Sequence, residues 1–405
     1  MNSTLSDAPR PRQDSARFSA GLIAAITVFA ALAPVMLLAG PLVAAQLTLQ
    51  YHLQPAQVGL FFTIALGAMS LATLPAYWWM PRTDCRRAAC VAVLIFIGAN
   101  LATTWATSFA LLAVLQFVAG LAGGSLMVLS MSLSGTAKNK DRVFAFWVIG
   151  QMVLGGAELY LLPSLFQAHG LSVMFLLLAI VTALASPLLL FFPARPVHAV
   201  THERVARAAR VRPGRLAMCS AASVLMFYVG VSGVWTFLGT VAHGGGITTD
   251  VLHRILVIAP VVGMIGAALT ALIGQRFHRT AMIVIGFTLI ICGIALLYGD
   301  PDVVRFATGT YAFKLAWTFV LPFMLASIGH IDSTGRVINT INLTIGGGLA
   351  IGPGIMGWVV QAGGGANAMV LASVAVLMVS LLLMLPVALA GARRVQMPRA
   401  SQAMQ

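Results

Sequence analysis

Apolar and polar positions alternate along this chain in long blocks, with extended apolar stretches cut by short gaps of turn-forming or charged residues. A bilayer hydrocarbon core of roughly 30 Å is spanned by about 20 mostly apolar helical residues. Twelve stretches of that order emerge, at residues 18–46, 57–80, 88–107, 109–134, 143–167, 171–193, 216–241, 251–275, 281–298, 303–328, 337–361 and 366–391. The third and fourth nearly touch, as do the fifth and sixth, which predicts tight hairpins at Ala106–Phe109 and Ala168–Gly170. Basic residues precede the first stretch, and Val43, Ala44 and Ala45 resemble a cleavage site. Its length and its prolines, Pro34 and Pro41, fit a kinked membrane helix better than a signal peptide.

Composition sharpens this picture. Of 405 residues, 60% are apolar and 8% charged, against about 25% charged in soluble domains, so an all-α membrane protein is expected. The formal charge of +14 would suggest a nucleic-acid partner in a polar chain. Here the basic residues sit in the gaps and form no stripe with interleaved aromatics, so they report topology. With the amino terminus inside, the basic residues of the first half fall at Arg10, Arg12, Arg17, Arg82, Arg86, Arg87, Lys138, Lys140 and Arg142, all on the cytoplasmic side. The second half continues with Arg195 to Arg215, then Arg276, Arg279, Arg336, Arg393, Arg394 and Arg399, and only Arg254, Arg305 and Lys314 fall elsewhere. An even helix count then puts both termini in the cytoplasm, in the cell membrane, or the inner membrane of a bacterium. Four cysteines follow no metal or redox spacing.

A shift of 193 or 194 residues relates the two halves. Val58 maps to Val251, Arg86 to Arg279, Arg142 and Val143 to Arg336 and Val337, Gly170 to Gly364, and Leu189, Leu190 and Pro193 to Leu382, Leu383 and Pro386. Two six-helix units in parallel orientation follow, at 18–193 and 216–391, with a basic linker at 194–215 and cytoplasmic tails at 1–17 and 392–405.

Two six-helix halves joined by a basic loop resemble the major facilitator superfamily of secondary transporters. That family's loop between its second and third helices reads roughly G-x-x-x-D-R-x-G-R-R. Trp78–Arg87 keeps Arg86 and Arg87 but has Arg82 at the acid's position, and Ala271–Thr280 keeps Arg276 and Arg279 with Gln275 there. The family's fourth-helix arginine is Gln116 here, followed by Gly120, Gly123 and Gly124. Its fifth-helix G-x-x-x-G-P is absent, although Gly348, Gly352 and Pro353 give that string in the eleventh helix, where close helix packing explains it.

Ionisable groups inside a bilayer are costly and mark function. Lys314 lies near the middle of the tenth stretch, with Thr310, Tyr311, Trp317 and Thr318 at helical spacings around it. The seventh carries Tyr228, Ser232, Trp235 and Thr236, and the eleventh Asn339 and Asn342. The resemblance implies that the first, fourth, seventh and tenth helices line a central cavity. Lys314, Tyr311, Trp317, Thr318, Tyr228, Ser232, Trp235 and Gln116 are therefore the candidate substrate contacts. For Lys314 the competing reading is a structural ion pair with Glu158, and for the neutral residues it is interhelical hydrogen bonding. Glu158 is the one clearly embedded carboxylate and Arg254 begins the eighth stretch, so a gating or proton-coupling pair between them is expected.

No G-x-S-x-G, H-E-x-x-H or Walker string occurs, so no enzyme activity, no cofactor and no metal are expected. The reading is a proton-coupled transporter of a small solute, an organic or aromatic carboxylate because a lone cation faces few acids, acting by alternating access as a monomer. A drug/proton antiporter is the alternative, and a non-transporting membrane receptor a third.

Overall fold

The fold is that of a computed structural model, which describes residues 19–135, 137, 140–194, 196, 214–273, 277–331 and 336–402. Its twelve helical passages are numbered here in chain order. The first half holds α1 (Ala20–Leu32, Val35–Leu38 and Gly40–Tyr51), α2 (Pro55–Leu71 and Thr73–Trp79), α3 (Cys85–Thr103), α4 (Phe109–Gly135), α5 (Lys140–His169) and α6 (Ser172–Ala185, continued by Ser186–Phe191). The second holds α7 (Arg215–Thr236 and Leu238–Gly244), α8 (Thr249–Ile273), α9 (Arg279–Ala295), α10 (Val303–Ile331), α11 (Arg336–Val359, then a wide turn over Val360–Gly364) and α12 (Gly365–Gln402). No strand occurs among the described residues.

Among the described residues, nine helices are long and apolar enough to cross a membrane. One of them, Leu343–Gly391, is two passages, α11 and α12, and the shorter apolar helices Ala20–Leu32 and Arg279–Ala295 belong to α1 and α9. Large apolar side chains such as Leu94, Val153, Leu184, Leu272 and Leu382 stand exposed on the outer surface, the arrangement a lipid environment stabilises.

The expected punctuation is present. Pro34 and Pro41 break α1 into three segments, because proline supplies no N–H and crowds the preceding turn. Gly170 closes the hairpin between α5 and α6 with a left-handed φ of 68°, and its counterpart between α11 and α12 uses Gly363 (φ 105°) and Gly365 (φ 55°), on either side of the Gly364 paired with it by sequence. Arg86 Nε donates to Phe192 O at 3.0 Å and its Nη2 to Leu190 O at 2.6 Å, tying the start of α3 to the unsatisfied carbonyls ending α6. Most of the 194–215 linker and all of the 1–17 tail lie outside the described residues.

Arg82, Arg86, Arg87, Arg215 and Arg279 gather at one end of the bundle, the basic end. The halves are joined most extensively along α2 and α11. A Cβ on Gly59 would collide with Pro353 O, one on Gly357 with Pro55 O, and one on Gly354 with Thr63 Oγ1. Ala56 N also donates to Gln361 Oε1 at 3.0 Å. Further cross-half contacts join α5 to α8 and the last segment of α1 to α7, toward the end opposite the basic one.

Gly59→Val should therefore destabilise the protein by about 1–3 kcal/mol, the usual cost of overpacking. Gly98→Val, where nothing lies within 4 Å of the added atom, should leave the thermal midpoint in detergent unchanged. Equal midpoints for the two variants would contradict the close α2–α11 seam.

Candidate functional site

The candidate site forms around Lys314 on α10. Its Nζ stands 3.9 Å from the ring centroid of Trp235 on α7 and 4.5 Å from that of Trp317 on its own helix. Cation–π contacts of this kind strengthen where water is excluded. Gly263 of α8 faces the stem of the lysine, so α8 approaches closely there. No carboxylate pairs with the ammonium among the described residues, so the alternative ion pair with Glu158 is not formed. Tyr228 packs its ring edge-on to Trp317 at 6.4 Å, and Phe313 lies tilted against Trp317 at 5.7 Å. Tyr311 is half-buried one turn from Lys314, and the neighbouring Thr310 hydroxyl is buried without a hydrogen-bond partner.

Trp235, only 2% exposed, also reaches across the two halves. Its indole N–H donates to Leu37 O at 2.8 Å. That carbonyl is available because the residue four positions on is Pro41, which has no N–H to offer it. Gly40 of α1 lies beside the indole, where an added Cβ would meet the ring at ordinary van der Waals distance. The sequence marks Pro41 as a kink and Trp235 as a candidate substrate contact. It carries no signal that the first frees an acceptor for the second.

The remaining polar positions divide. Thr318 Oγ1 donates to Gly263 O at 2.6 Å and Ser232 Oγ to Gly348 O at 3.3 Å, so both hydroxyls serve helix packing inside the second half. Gln116 is brought elsewhere. Its Nε2 donates to buried Thr103 Oγ1 at 3.1 Å, within the interior of the first half, while Gly120 and Gly124 let α4 press against the carbonyls of Ala65 and Met69. Asn339 and Asn342 have side chains outside the described ones.

Glu158 and Arg254 do not form the expected pair. The Glu158 Oε2 is buried with no hydrogen-bond partner, and no ion pair joins the two residues. Gly155, one turn earlier on α5, packs against Leu38, so this face of α5 meets the broken part of α1. Arg254 instead lines a cavity of about 580 Å³ between α5 and α8, together with Tyr160, Gln167, Asp250 and His253.

These features define a helical membrane protein of two six-helix halves with an aromatic-caged cation beside the interface between them. The sequence profile of the Major Facilitator Superfamily matches residues 18–331, and the chain belongs to that family. Similar solved structures include the nucleoside transporter NupG (14% identity, TM-score 0.68, covering 92% of this chain and 99% of that one). The D-xylose-proton symporter is similar at 14% identity, with TM-score 0.69 and coverage of 90% and 97%. A bacterial homologue of the human lysosomal transporter Spinster, inward-facing and unoccupied, is similar at 14% identity, with TM-score 0.65 and coverage of 92% and 96%. No curated protein matches the sequence. The chain is thus a secondary transporter and not an enzyme.

Trp235→Phe keeps an aromatic face for Lys314 but removes the N–H, leaving Leu37 O unsatisfied at a cost of about 1–3 kcal/mol. In a cysteine-free background, spin labels at positions 52 and 246 should report a longer, broader distance distribution in Trp235→Phe than in the parent. An unchanged distribution would show that this hydrogen bond does not hold the halves together.

Proposed function

We propose that this transporter carries a small organic or aromatic carboxylate by alternating access, with the substrate's negative charge received by Lys314. The observation that carries the reading is the Lys314 ammonium, held against two indole faces with no carboxylate partner among the described residues. An embedded cation needs a counter-charge, and an arriving carboxylate supplies one. Trp317 and Tyr228 offer ring surface for its apolar body. The solved neighbours transport solutes as different as nucleosides and xylose at 14% identity, so their substrates give no guide to this one. Coupling to protons is proposed through Glu158, whose Oε2 lies buried and unbonded. The positive-inside pattern supports cytoplasmic termini and, in a bacterium, an inner-membrane location.

Flux into proteoliposomes, over a panel of carboxylates, organic cations and uncharged drugs, tests the substrate class. Lys314→Ala should lower carboxylate affinity by about tenfold or more, since a charge-assisted contact is worth about 1.5–3 kcal/mol, while the purified protein keeps its thermal midpoint. Saturable carriage of cationic drugs with no response to carboxylates would favour a drug/proton antiporter instead.

For coupling, Glu158→Gln should abolish acceleration of uptake by an imposed pH gradient while leaving exchange at equal pH on both sides. Retention of the full pH response in this variant would remove Glu158 from the proton path.

A further inference from the structure

The α5–α8 cavity belongs neither to the Lys314 cluster nor to the joint between Trp235 and α1. Its two walls change character together. At the membrane end stand Gln167 of α5 and Asp250 and Arg254 of α8; deeper lie Leu159 of α5 and Val257 and Ile258 of α8. From Asp250 to Ile258 is about 12 Å at 1.5 Å per residue, the depth over which a bilayer passes from headgroups to acyl chains. Both walls follow that gradient. Arg254 and Ile258 are also exposed, so the cavity is open to the surroundings of the bundle.

Three ionisable side chains, Asp250, His253 and Arg254, stand at the mouth, the first and last of them exposed. Asp250 and Arg254 stand four residues apart with the acid nearer the helix start, a spacing at which opposite charges readily pair. They form no ion pair, although both line the cavity. The mouth thus offers an anion and a cation on one helix face, with His253 between them in sequence and electrostatically close to Asp250. The matching ligand is zwitterionic at one end and apolar at the other.

We propose that this cavity binds one phospholipid with a phosphoethanolamine headgroup, in the leaflet opposite the basic end. Arg254 donates to the phosphate, Asp250 accepts from the primary ammonium, and an acyl chain lies along Leu159, Val257 and Ile258. A primary ammonium carries the hydrogen-bond donors that Asp250 requires, whereas a trimethylammonium carries none. The lipid occupies the seam between α5 and α8, where the halves meet less closely than at α2–α11.

Native mass spectrometry of the delipidated full-length protein tests this, with an equimolar mixture of phosphatidylethanolamine, phosphatidylglycerol and phosphatidylcholine of identical acyl chains as probe. One phosphatidylethanolamine should be retained per protein, preferred by about tenfold, the factor that one charge-assisted hydrogen bond supplies. Asp250→Asn should erase the preference over phosphatidylcholine, and Arg254→Gln should lower retention of both. Ile258→Trp, which fills the cavity without touching the charges, should displace the lipid as well, so that loss in the polar variants is not mistaken for misfolding. Equal retention of all three lipids, a preference for phosphatidylglycerol, or unchanged retention in Asp250→Asn and Ile258→Trp would each overturn the proposal.

Discussion

The hydrogen bond from Trp235 to Leu37 O is the constraint on which the centre of the molecule depends. In a bilayer a backbone carbonyl without a donor costs several kcal/mol, and no water stands by to relieve it. Pro41 creates such a carbonyl in the middle of α1. The first half leaves it to be met by a side chain of the second, so the two halves share one unmet need. The same indole offers its face to Lys314. Edge and face of one ring thus connect a helix break in one half to the embedded cation of the other. Immediately beyond Trp235, α7 breaks at Phe237 before resuming at Leu238, so both helices that meet at this bond are interrupted there.

The two seams between the halves are built on opposite principles. Along α2 and α11, glycines at 59, 354 and 357 bring backbone against backbone, the close packing that drives helix association where no hydrophobic effect operates. Between α5 and α8 the side chains are longer and a cavity of about 580 Å³ remains. Relative motion of the halves therefore meets a tight joint on one side and a loose one on the other.

Much of this architecture is legible in the sequence, because the bilayer imposes a length and a composition on every crossing helix. The passages, the kink in α1 and the hairpin at Gly170 follow from apolar run lengths and from proline and glycine. Helix ends shift by a few residues; α1 runs on to Tyr51 and α10 to Ile331, since polar residues extend a helix past the apolar stretch that reveals it. Lys314 and its aromatic neighbours stand together as their spacing predicts, because neighbours on one helix are fixed by its period. Contacts between helices are not fixed in that way. Gln116 turns toward Thr103, Thr318 and Ser232 bond to packing partners, and Glu158 and Arg254 stay apart. A polar stripe marks a face turned from lipid, yet it does not tell a cavity from a helix interface, since both satisfy hydroxyls equally well.

Glu158 and Lys314 share an imbalance in this arrangement. A carboxylate oxygen is buried without a donor, and an ammonium is met by ring faces in place of an acceptor. Buried polar groups in a resting fold are as a rule satisfied, and leaving one unsatisfied costs about 1–3 kcal/mol. Had the two groups served only to hold the fold, pairing them would have removed both costs at once. They stand instead on helices of different halves, α5 and α10. On the proposed reading their partners are a proton at Glu158 and a carboxylate at Lys314. The α1 segment from Leu37 to Gly40 lies between the two sites, touching Trp235 on one side and Gly155 on the other. That stretch lies between the two helix breaks of α1, at Pro34 and Pro41.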